Sequence, residues 1–195
     1  MELNVRVDIE EVEKQLYRAE RREVPKATAW AINRTLNTAR SRSAKTISRE
    51  TGIQQKKFAK QPPKGRMLIK RATWENLQGE LHALPYAPNL IEYVSKGSRK
   101  PGAFRKKSGV QARAWGSKKT YPGTFVGQGQ NSGKALVFRR TSGDRYPIKA
   151  IYGPSVPQTF MNRIVQRVLD AVANYQFPRQ FSRELSRRLG RLNNR

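Results

Sequence analysis

The chain of 195 residues has no cysteine and a single histidine. Without thiols it can form neither a disulfide framework nor a thiolate metal site. No apolar run approaches the roughly 18 residues of a membrane-spanning helix. The N-terminus "MELNVRVDIEEVEKQ" is acidic where a signal peptide would be basic and then apolar. We therefore expect a protein assembled in a cytoplasm, without membrane association.

Acidic residues are also scarce, because 14 Asp and Glu stand against 40 Lys and Arg. Half of the acids fall within residues 1–23, and the others are scattered singly along the chain. Hydrolases and nucleases usually need clustered carboxylates or histidine ligands. We therefore expect no catalytic residue, no metal and no cofactor. Glu80 and His82 share one face of a predicted strand, and a cross-strand surface pair is the preferred interpretation of that spacing.

The remaining charge is strongly positive, with a net charge of +26. Solubility alone rarely requires more than about 2 to 8 net charges in a small domain. A field of this size attracts polyanions, either nucleic acid or an acidic protein surface, and makes copies of the chain repel one another. The hydrophobic content is only 36%, so we expect some segments to become ordered on assembly.

Helical periodicity marks both ends of the chain. Residues 8–23 predict a short amphipathic helix, and Pro25 opens a longer one that ends at Gly52. The long helix combines a small-residue packing stripe with a cationic face. The members of that face are Arg34, Arg42, Lys45 and Arg49.

The middle of the chain alternates in the manner of strands, and it contains a basic tract. Residues 95–134 hold eight of the 14 glycines. We expect this tract to be a long loop or hairpin that orders on assembly, with "VQARAW" and "TFVGQ" as its two short strands. Its cations are candidates for facing DNA or a neighbouring subunit: Lys96, Arg99, Lys100, Arg105, Lys106, Lys107, Arg113, Lys118 and Lys119. "ALVFRR" and "RYPIKAIY" then predict a final hairpin.

The stretch "RYPIKAIYGPSVPQTF", residues 145–160, is nearly uncharged. It reads as an edge strand, a sharp turn and a fixed helix start, in which Ser155 to Gln158 forms a capping box. We interpret it as a structural joint made of Tyr146, Pro147, Gly153, Pro154, Ser155, Pro157 and Phe160. Tyr146, Ile148 and Phe160 are its expected core anchors. The following helix is expected to bury Phe160, Ile164, Val168, Val172 and Tyr175, and to break or kink at Pro178.

Two blocks carry a resemblance to a known family. "VPKATAWAINRTLNTARSRSAKTISRETGI" and the 145–160 stretch resemble the corresponding blocks of the minor tail protein Z family of long-tailed bacteriophages, also described as tail completion proteins. "PGTF" beside Pro122 is similar to a "PGAF" in that family. Together with the flanking helix, these blocks cover about a third of the chain.

The resemblance implies a virion structural protein that completes the tail near the head–tail junction. It implies a homo-oligomeric ring, commonly sixfold, around the DNA channel, with tail terminator, tail tube or neck proteins as neighbours. Loss of such a protein leaves particles that look assembled but deliver DNA poorly. Contact with phage genomic DNA would be electrostatic and independent of sequence.

A non-specific nucleic-acid-binding protein of ribosomal or chromosomal type is the alternative. It is favoured by aromatic residues between the cations of the basic tract, at Phe104, Trp115, Tyr121 and Phe125. Those aromatics anchor the tract against a neighbouring subunit in the preferred interpretation.

The expected fold is α+β, with N-terminal helices, a central mixed or antiparallel sheet carrying the long basic loop, and C-terminal helices. We predict one structural domain over residues 1–195. It divides into helices at 1–60, the sheet at 66–152 with the basic insertion at 95–134, and helices at 155–193.

Overall fold

The computed structural model describes residues 14, 17, 19–102, 109–130 and 133–193. A π-helical turn, Ala19–Glu23, precedes helix α1, Val24–Thr51. The predicted first helix therefore lies mostly outside the described residues. Helix α1 begins and ends where the sequence predicts, and Gly52 follows it with φ +79. Its N–H donates to the Ser48 carbonyl, which closes the helix.

The described residues in the middle of the chain form three small sheets. Their strands are β1 Met67–Lys70, β2 Glu80–Ala83, β3 Val110–Ala112, β4 Lys119–Tyr121, β5 Thr124–Gln128, β6 Ala135–Arg140 and β7 Ile148–Ala150. β1 pairs with β2, β3 with β4, and the third sheet has the order β5-β6-β7. Three 3-10 turns also occur, at Gln55–Lys57, Leu90–Tyr93 and Lys96–Ser98. The α+β class is confirmed, with small antiparallel sheets in place of one central sheet.

The predicted final hairpin is confirmed, because Arg140 pairs with Ile148 and Phe138 with Ala150. As Pro147 indicated, β7 lies at the edge of its sheet. Within the basic tract the pairing differs from the prediction. "VQARAW" and "TFVGQ" were the expected hairpin partners, but β3 pairs with β4 and β5 pairs with β6.

Two helices follow the last strand, α2 Val156–Phe160 and α3 Arg163–Asn193. The chain leaves helical geometry between them, and the Asn162 side chain accepts a hydrogen bond from Ile164 N. The predicted apolar stripe is correct in part. Val172 is buried as predicted, and Phe160 and Val168 are half-buried, whereas Ile164 and Tyr175 are exposed and Val165 is buried in their place. Of the two outcomes predicted at Pro178, a break or a kink, the break is absent, since α3 continues through that residue.

The described residues group into two compact units. The first draws on Met1–Ala39, Ile69–Leu81 and Leu169–Arg195, and the second on Arg40–Leu68 and His82–Val168. The core of the second unit includes the fully buried Phe58, Met67, Val110, Val137 and Val156. In the first unit the small Ala27 and Ala31 of α1 and Val172 of α3 are fully buried. No helix in the described part of the chain is long and apolar enough to cross a membrane.

Candidate cationic interface

The hairpin β3–β4 holds the cations of the basic tract in place within the second unit. Val110 and Ala112 are buried whereas Gln111 is exposed, so β3 alternates as a half-buried strand does. The backbone N–H of Arg113 donates to the Tyr93 carbonyl at 2.9 Å, and that of Val110 donates to Thr124 Oγ1 at 3.0 Å. Hydrogen bonds to two other segments therefore fix where the side chains of residues 113–118 project.

The turn between these strands exposes a tryptophan. Trp115 has φ 59, the one positive value among the described non-glycine residues, and Gly116 follows with φ +71. A left-handed conformation costs a non-glycine residue roughly 1–2 kcal/mol, and such strain concentrates at functional sites. The Trp115 side chain is 45% exposed. The turn holds this side chain in solvent between Arg113 and Lys118.

The last turn of α1 lies against the same hairpin. A Cβ atom built at Gly116 would lie 3.6 Å from the Glu50 carbonyl oxygen, and one at Gly52 would lie 3.2 Å from the Arg113 carbonyl oxygen. Arg49 is exposed at this helix end, with Nε 3.5 Å from Glu50 Oε1. The structure thus brings a cation of the predicted helical face next to cations of the basic tract.

A cavity of about 500 Å³ lies beside the hairpin. Its lining residues are Tyr93, Val94, Ser95, Ser98, Gln111, Ala112, Arg113 and Lys118. Among the described residues, Arg113 and Lys118 are the charged members of that lining, and no acid belongs to it. Hydroxyl, amide and cationic groups around an open volume match the hydrogen-bonding needs of a phosphate.

Arg99 holds the backbone of the segment that contributes residues 93–95 to the cavity lining. Its Nε donates to the Val94 carbonyl at 2.8 Å, and its Nη2 donates to the Glu92 carbonyl at 2.9 Å. Glu92 also pairs with Lys57 Nζ at 2.6 Å. Two donors of the Arg99 guanidinium are therefore engaged by the chain's own backbone. Among the candidate cations, Arg99 is a structural brace for the segment that lines the cavity.

Tyr93 is the main side chain beneath the cavity that sequence reasoning missed. Its hydroxyl oxygen is buried and has no hydrogen-bond partner in the described part of the chain. Burial raises the pKa of the Tyr93 hydroxyl well above its usual value. A Cβ at Gly153 would lie 2.3 Å from Tyr93 Cε2, and a Cβ at Gly52 would lie 3.6 Å from Tyr93 Cδ1. The ring thus contacts two glycines that the sequence marked only as a turn and a helix end.

The other candidate cations are distributed as follows. Arg34 is exposed in the part of α1 that belongs to the first unit. Arg42 and Lys45 are exposed in the part of α1 that belongs to the second unit, as are Lys100 and Lys119 elsewhere in that unit. Lys96 is exposed in its 3-10 turn. Arg105, Lys106 and Lys107 lie outside the described residues, as does Phe104.

The structural joint is clamped against the segment that precedes Tyr93. Gly153 N donates to the Pro88 carbonyl at 2.9 Å, and Val156 N donates to the Tyr86 carbonyl at 2.9 Å. Pro154 is buried next to Gly153. This clamp brings the turn and the start of α2 against a segment more than sixty residues earlier in the chain.

The predicted helix start is confirmed. Ser155 is the N-cap of α2, its Oγ accepts from Gln158 N at 3.2 Å, and Pro157 stands in the first turn. Phe160 is half-buried at the end of that helix.

The expected role of Tyr146 as a core anchor is wrong. Its side chain is 61% exposed, and Pro147 beside it is also exposed. The Pro147 carbonyl accepts from Thr141 N at 3.2 Å, so this part of the joint closes the β6–β7 hairpin. Ile148 is half-buried in β7.

Asn89 is a second residue that sequence reasoning missed. Its buried side chain donates to the Val137 carbonyl at 3.3 Å and accepts from Val137 N at 2.8 Å and Ile91 N at 3.0 Å. Its backbone forms a bridge with Tyr152. Asn89 thus supplies the acceptor for Val137 N in β6, while Ile151 N, just beyond β7, still donates to the Val137 carbonyl at 2.9 Å.

The preferred interpretation of Glu80 is confirmed, because Glu80 Oε2 lies 3.0 Å from Lys70 Nζ on the neighbouring strand. Among the residues that the structure describes, no group of three or more His, Asp or Glu lies close enough to hold a metal ion.

Comparison with known proteins gives two matches. The sequence model of the family described as "Prophage minor tail protein Z (GPZ)" matches residues 8–195. The tail completion protein of Escherichia phage N15 is similar, with 33% identity over 131 residues, which cover 67% of this chain and 68% of that protein. No solved structure matches.

Proposed function

Because the chain belongs to the prophage minor tail protein Z family, we propose that it is a virion structural protein acting in tail completion, at or near the head–tail junction. The observation that carries this proposal is the extent of the family match, which runs over residues 8–195. It covers the joint, the basic tract and both terminal helical regions. We propose that the chain acts as one structural domain without enzymatic activity.

Copies of the chain form a homo-oligomeric ring, sixfold in the proposed form, around the DNA channel. Tail terminator, tail tube or neck proteins are its neighbours. Support for a ring comes from the charge, since a net charge of +26 makes isolated copies repel, whereas a shared polyanion in the channel offsets that repulsion. The exposed cations of α1 and of the β3–β4 hairpin supply the positive surface.

The cavity bounded by Arg113 and Lys118 is the proposed place of contact with DNA phosphates. Its cations project from a hydrogen-bonded hairpin, so their backbone is positioned before binding and only their side chains lose conformational entropy. Contacts of this type position the backbone and do not read bases. The proposed interaction is therefore insensitive to sequence, as a channel that passes a whole genome requires.

The exposed Trp115 favours a second candidate, a non-specific nucleic-acid-binding protein of ribosomal or chromosomal type. An aromatic ring between cations is a stacking platform for unpaired bases. The two candidates differ in location, because the second has no place in the finished particle.

The decisive experiment compares particles assembled with and without this chain. Mass spectrometry of purified particles is expected to detect the chain, and particles lacking it are expected to contain DNA but deliver it poorly. Image reconstruction of the head–tail junction is expected to show a ring of density that disappears with the chain. Absence of the chain from purified, infectious particles would overturn the proposal and favour the second candidate.

A further inference from the structure

The loop between β1 and β2, residues 71–79 in the first unit, is fastened to α1. Asn33 Nδ2 donates to the Ala72 carbonyl at 2.8 Å, and Ala72 N donates to Asn33 Oδ1 at 2.9 Å. At the other end of the loop, a Cβ built on Gly79 would lie 2.7 Å from Ile32 Cγ2 and 2.7 Å from Leu36 Cδ1. The loop can lie this close to the helix only because residue 79 has no side chain.

The tip of this loop also has its own hydrogen bonds. Thr73 N donates to the Asn76 carbonyl at 2.8 Å, Asn76 N donates to Thr73 Oγ1 at 3.0 Å, and Gln78 N donates to Asn76 Oδ1 at 3.1 Å. These bonds hold the backbone while two apolar side chains remain in solvent. Trp74 is 58% exposed and Leu77 is 41% exposed.

The segment lacks the positive charge that dominates the rest of the chain. Residues 71–81 contain two acids, Glu75 and Glu80, and one base, Arg71, at the start of the loop. Glu80 is paired with Lys70, whereas Glu75 is exposed and forms no ion pair within the described part of the chain. We call Trp74, Glu75 and Leu77 the apolar–acidic tip. It places an unpaired carboxylate between two exposed apolar side chains, on a protein of net charge +26.

We propose that the apolar–acidic tip docks on a cationic surface of a second copy of this chain. The proposal rests on the homo-oligomer of the proposed function. The occupant follows from charge complementarity, since the tip is acidic and a second copy presents mainly cations. A contact between unlike patches of successive copies is the kind that closes a ring. Tryptophan is enriched among the residues that dominate the energy of such interfaces.

The first test measures the oligomeric state of the full-length chain by sedimentation velocity and mass photometry. The tip variants are Glu75→Lys and the double change Trp74→Ser with Leu77→Ser. Each is expected to raise the dissociation constant of the oligomer by about tenfold or more. Asp144→Lys and Met161→Ser are matched controls, because each replaces an exposed acidic or exposed apolar side chain outside the tip. Circular dichroism of every variant verifies its folding.

The second test uses the absence of natural cysteine. Leu77→Cys gives one thiol per chain, which is joined to nearby lysines with a thiol–amine crosslinker after unlabelled and nitrogen-15-labelled copies are mixed. Crosslinks between a labelled and an unlabelled copy are expected. Crosslinks found only within one copy, or onto a different virion protein in particles, would overturn the proposal.

The outcomes separate the tip from the proposed function. If the wild-type chain forms an oligomer and both tip variants form it equally well, the tip contact is overturned and the proposed ring is unaffected. A wild-type chain that stays monomeric, even with tail tube or terminator partners present, overturns the tip contact and the ring together. In that case the DNA delivery of particles with and without the chain still tests tail completion independently.

Discussion

The Tyr93 ring lies beside glycines at two positions far apart in the sequence, and it sets the size limit at Gly153. Gly52 and Gly153 both face it, and Gly153 is so close that an added methyl group would overlap the ring. Gly153 N is also bound to the Pro88 carbonyl, so the backbone cannot retreat without losing a hydrogen bond. The sequence marks residue 153 as a turn, but the reason that only glycine fits is a tertiary contact.

Gly153→Ala is therefore expected to destabilise the fold. Overpacking of a close contact typically costs about 1–3 kcal/mol, and urea unfolding followed by circular dichroism measures the loss. Gly143→Ala is the matched control, because a Cβ at Gly143 meets no atom within 4 Å and its φ is not positive. That control is expected to change stability by less than about 0.5 kcal/mol. Equal effects of the two changes would contradict the role given to the ring.

The cap of α2 gives a second prediction for a single side chain. Ser155→Ala removes the oxygen that accepts from Gln158 N, so it is expected to cost about 0.5–2 kcal/mol. Ser155→Asp keeps an acceptor at the same place and should retain most of the stability. Ser117→Ala changes an exposed serine in the β3–β4 turn and serves as the control. A Ser155→Ala protein as stable as wild type would mean that the cap contributes nothing to α2.

At the scale of elements, local chemistry was readable from the sequence and partner choice was not. As expected, helix α1 begins beside Pro25 and ends just before Gly52, and Ser155 caps the start of α2. These boundaries are predictable because capping and helix-breaking residues act within a few residues of their own position. Strand partners depend on long-range contacts, which local sequence does not reveal. The sequence therefore predicts β3 and β5 as the two strands of one hairpin, although they lie in different sheets. Burial by tertiary contacts likewise decides which face of α3 is covered.

The candidate site was likewise predictable from the sequence only in part. The basic tract predicted Arg113 and Lys118 as exposed cations, and both line the cavity. The tract also predicted Arg99 as an interface candidate, but two backbone carbonyls engage its guanidinium. Nothing in the local sequence distinguishes Arg99 from Lys100. The same holds for Asn89, whose partners Val137 and Tyr152 lie far along the chain.

Helix α3 is tied to the N-terminal part of the first unit by an ion-pair network. Glu184 is buried, Arg188 Nε lies 2.8 Å from its Oε1, and Arg188 Nη1 lies 3.1 Å from Glu23 Oε2. The hydrogen bond from Arg187 lowers the pKa of Glu184 against the opposing effect of burial, and the charges of Arg187 and Arg188 lower it further. Burial opposes the shift at Glu23 too, where the Arg188 hydrogen bond and Lys26 nevertheless lower the pKa.

These lowered values predict loss of stability in acid. A carboxylate with a lowered pKa in the folded state stabilises the fold above its unfolded value, here 4.5, and ceases to do so as the pH falls through the folded value. Glu184→Gln is expected to lose about 1–3 kcal/mol at neutral pH, and its difference from wild type is expected to shrink below pH 4.5. Urea unfolding across this pH range measures both.

Asp144→Asn is the control for that series, since Asp144 is exposed and forms no ion pair within the described residues. Its stability should follow that of wild type at every pH. A Glu184→Gln protein whose deficit stays constant down to strong acid would instead mean that the glutamate acts through packing and not through its charge.

At the scale of the whole molecule, acidic and basic residues have different roles. Several of the few acids are used inside the fold, as Glu23 and Glu184 are in the first unit and Glu92 in the second. Most cations remain exposed on α1, the hairpin and α3. Because the internal pairs leave so much positive charge outside, long-range attraction to a polyanion follows from the fold as well as from the composition.

The salt dependence of DNA binding is the most direct readout of that surplus. Binding to duplex DNA, measured by fluorescence anisotropy, is expected to weaken steeply with salt, with a slope of log K against log[salt] of about −0.9 per phosphate neutralised. Two duplexes of unrelated sequence should give the same curve.

Arg113→Gln and Lys118→Gln should each make the slope shallower by about 1 if both side chains of the cavity contact phosphates. Arg183→Gln, which removes an exposed cation of α3, is the matched control for charge alone. An equal change in slope for all three variants would show that the cavity has no special role. Tight binding that persists at high salt and distinguishes the two sequences would contradict a channel contact, because a surface that reads bases cannot treat every part of a passing genome alike.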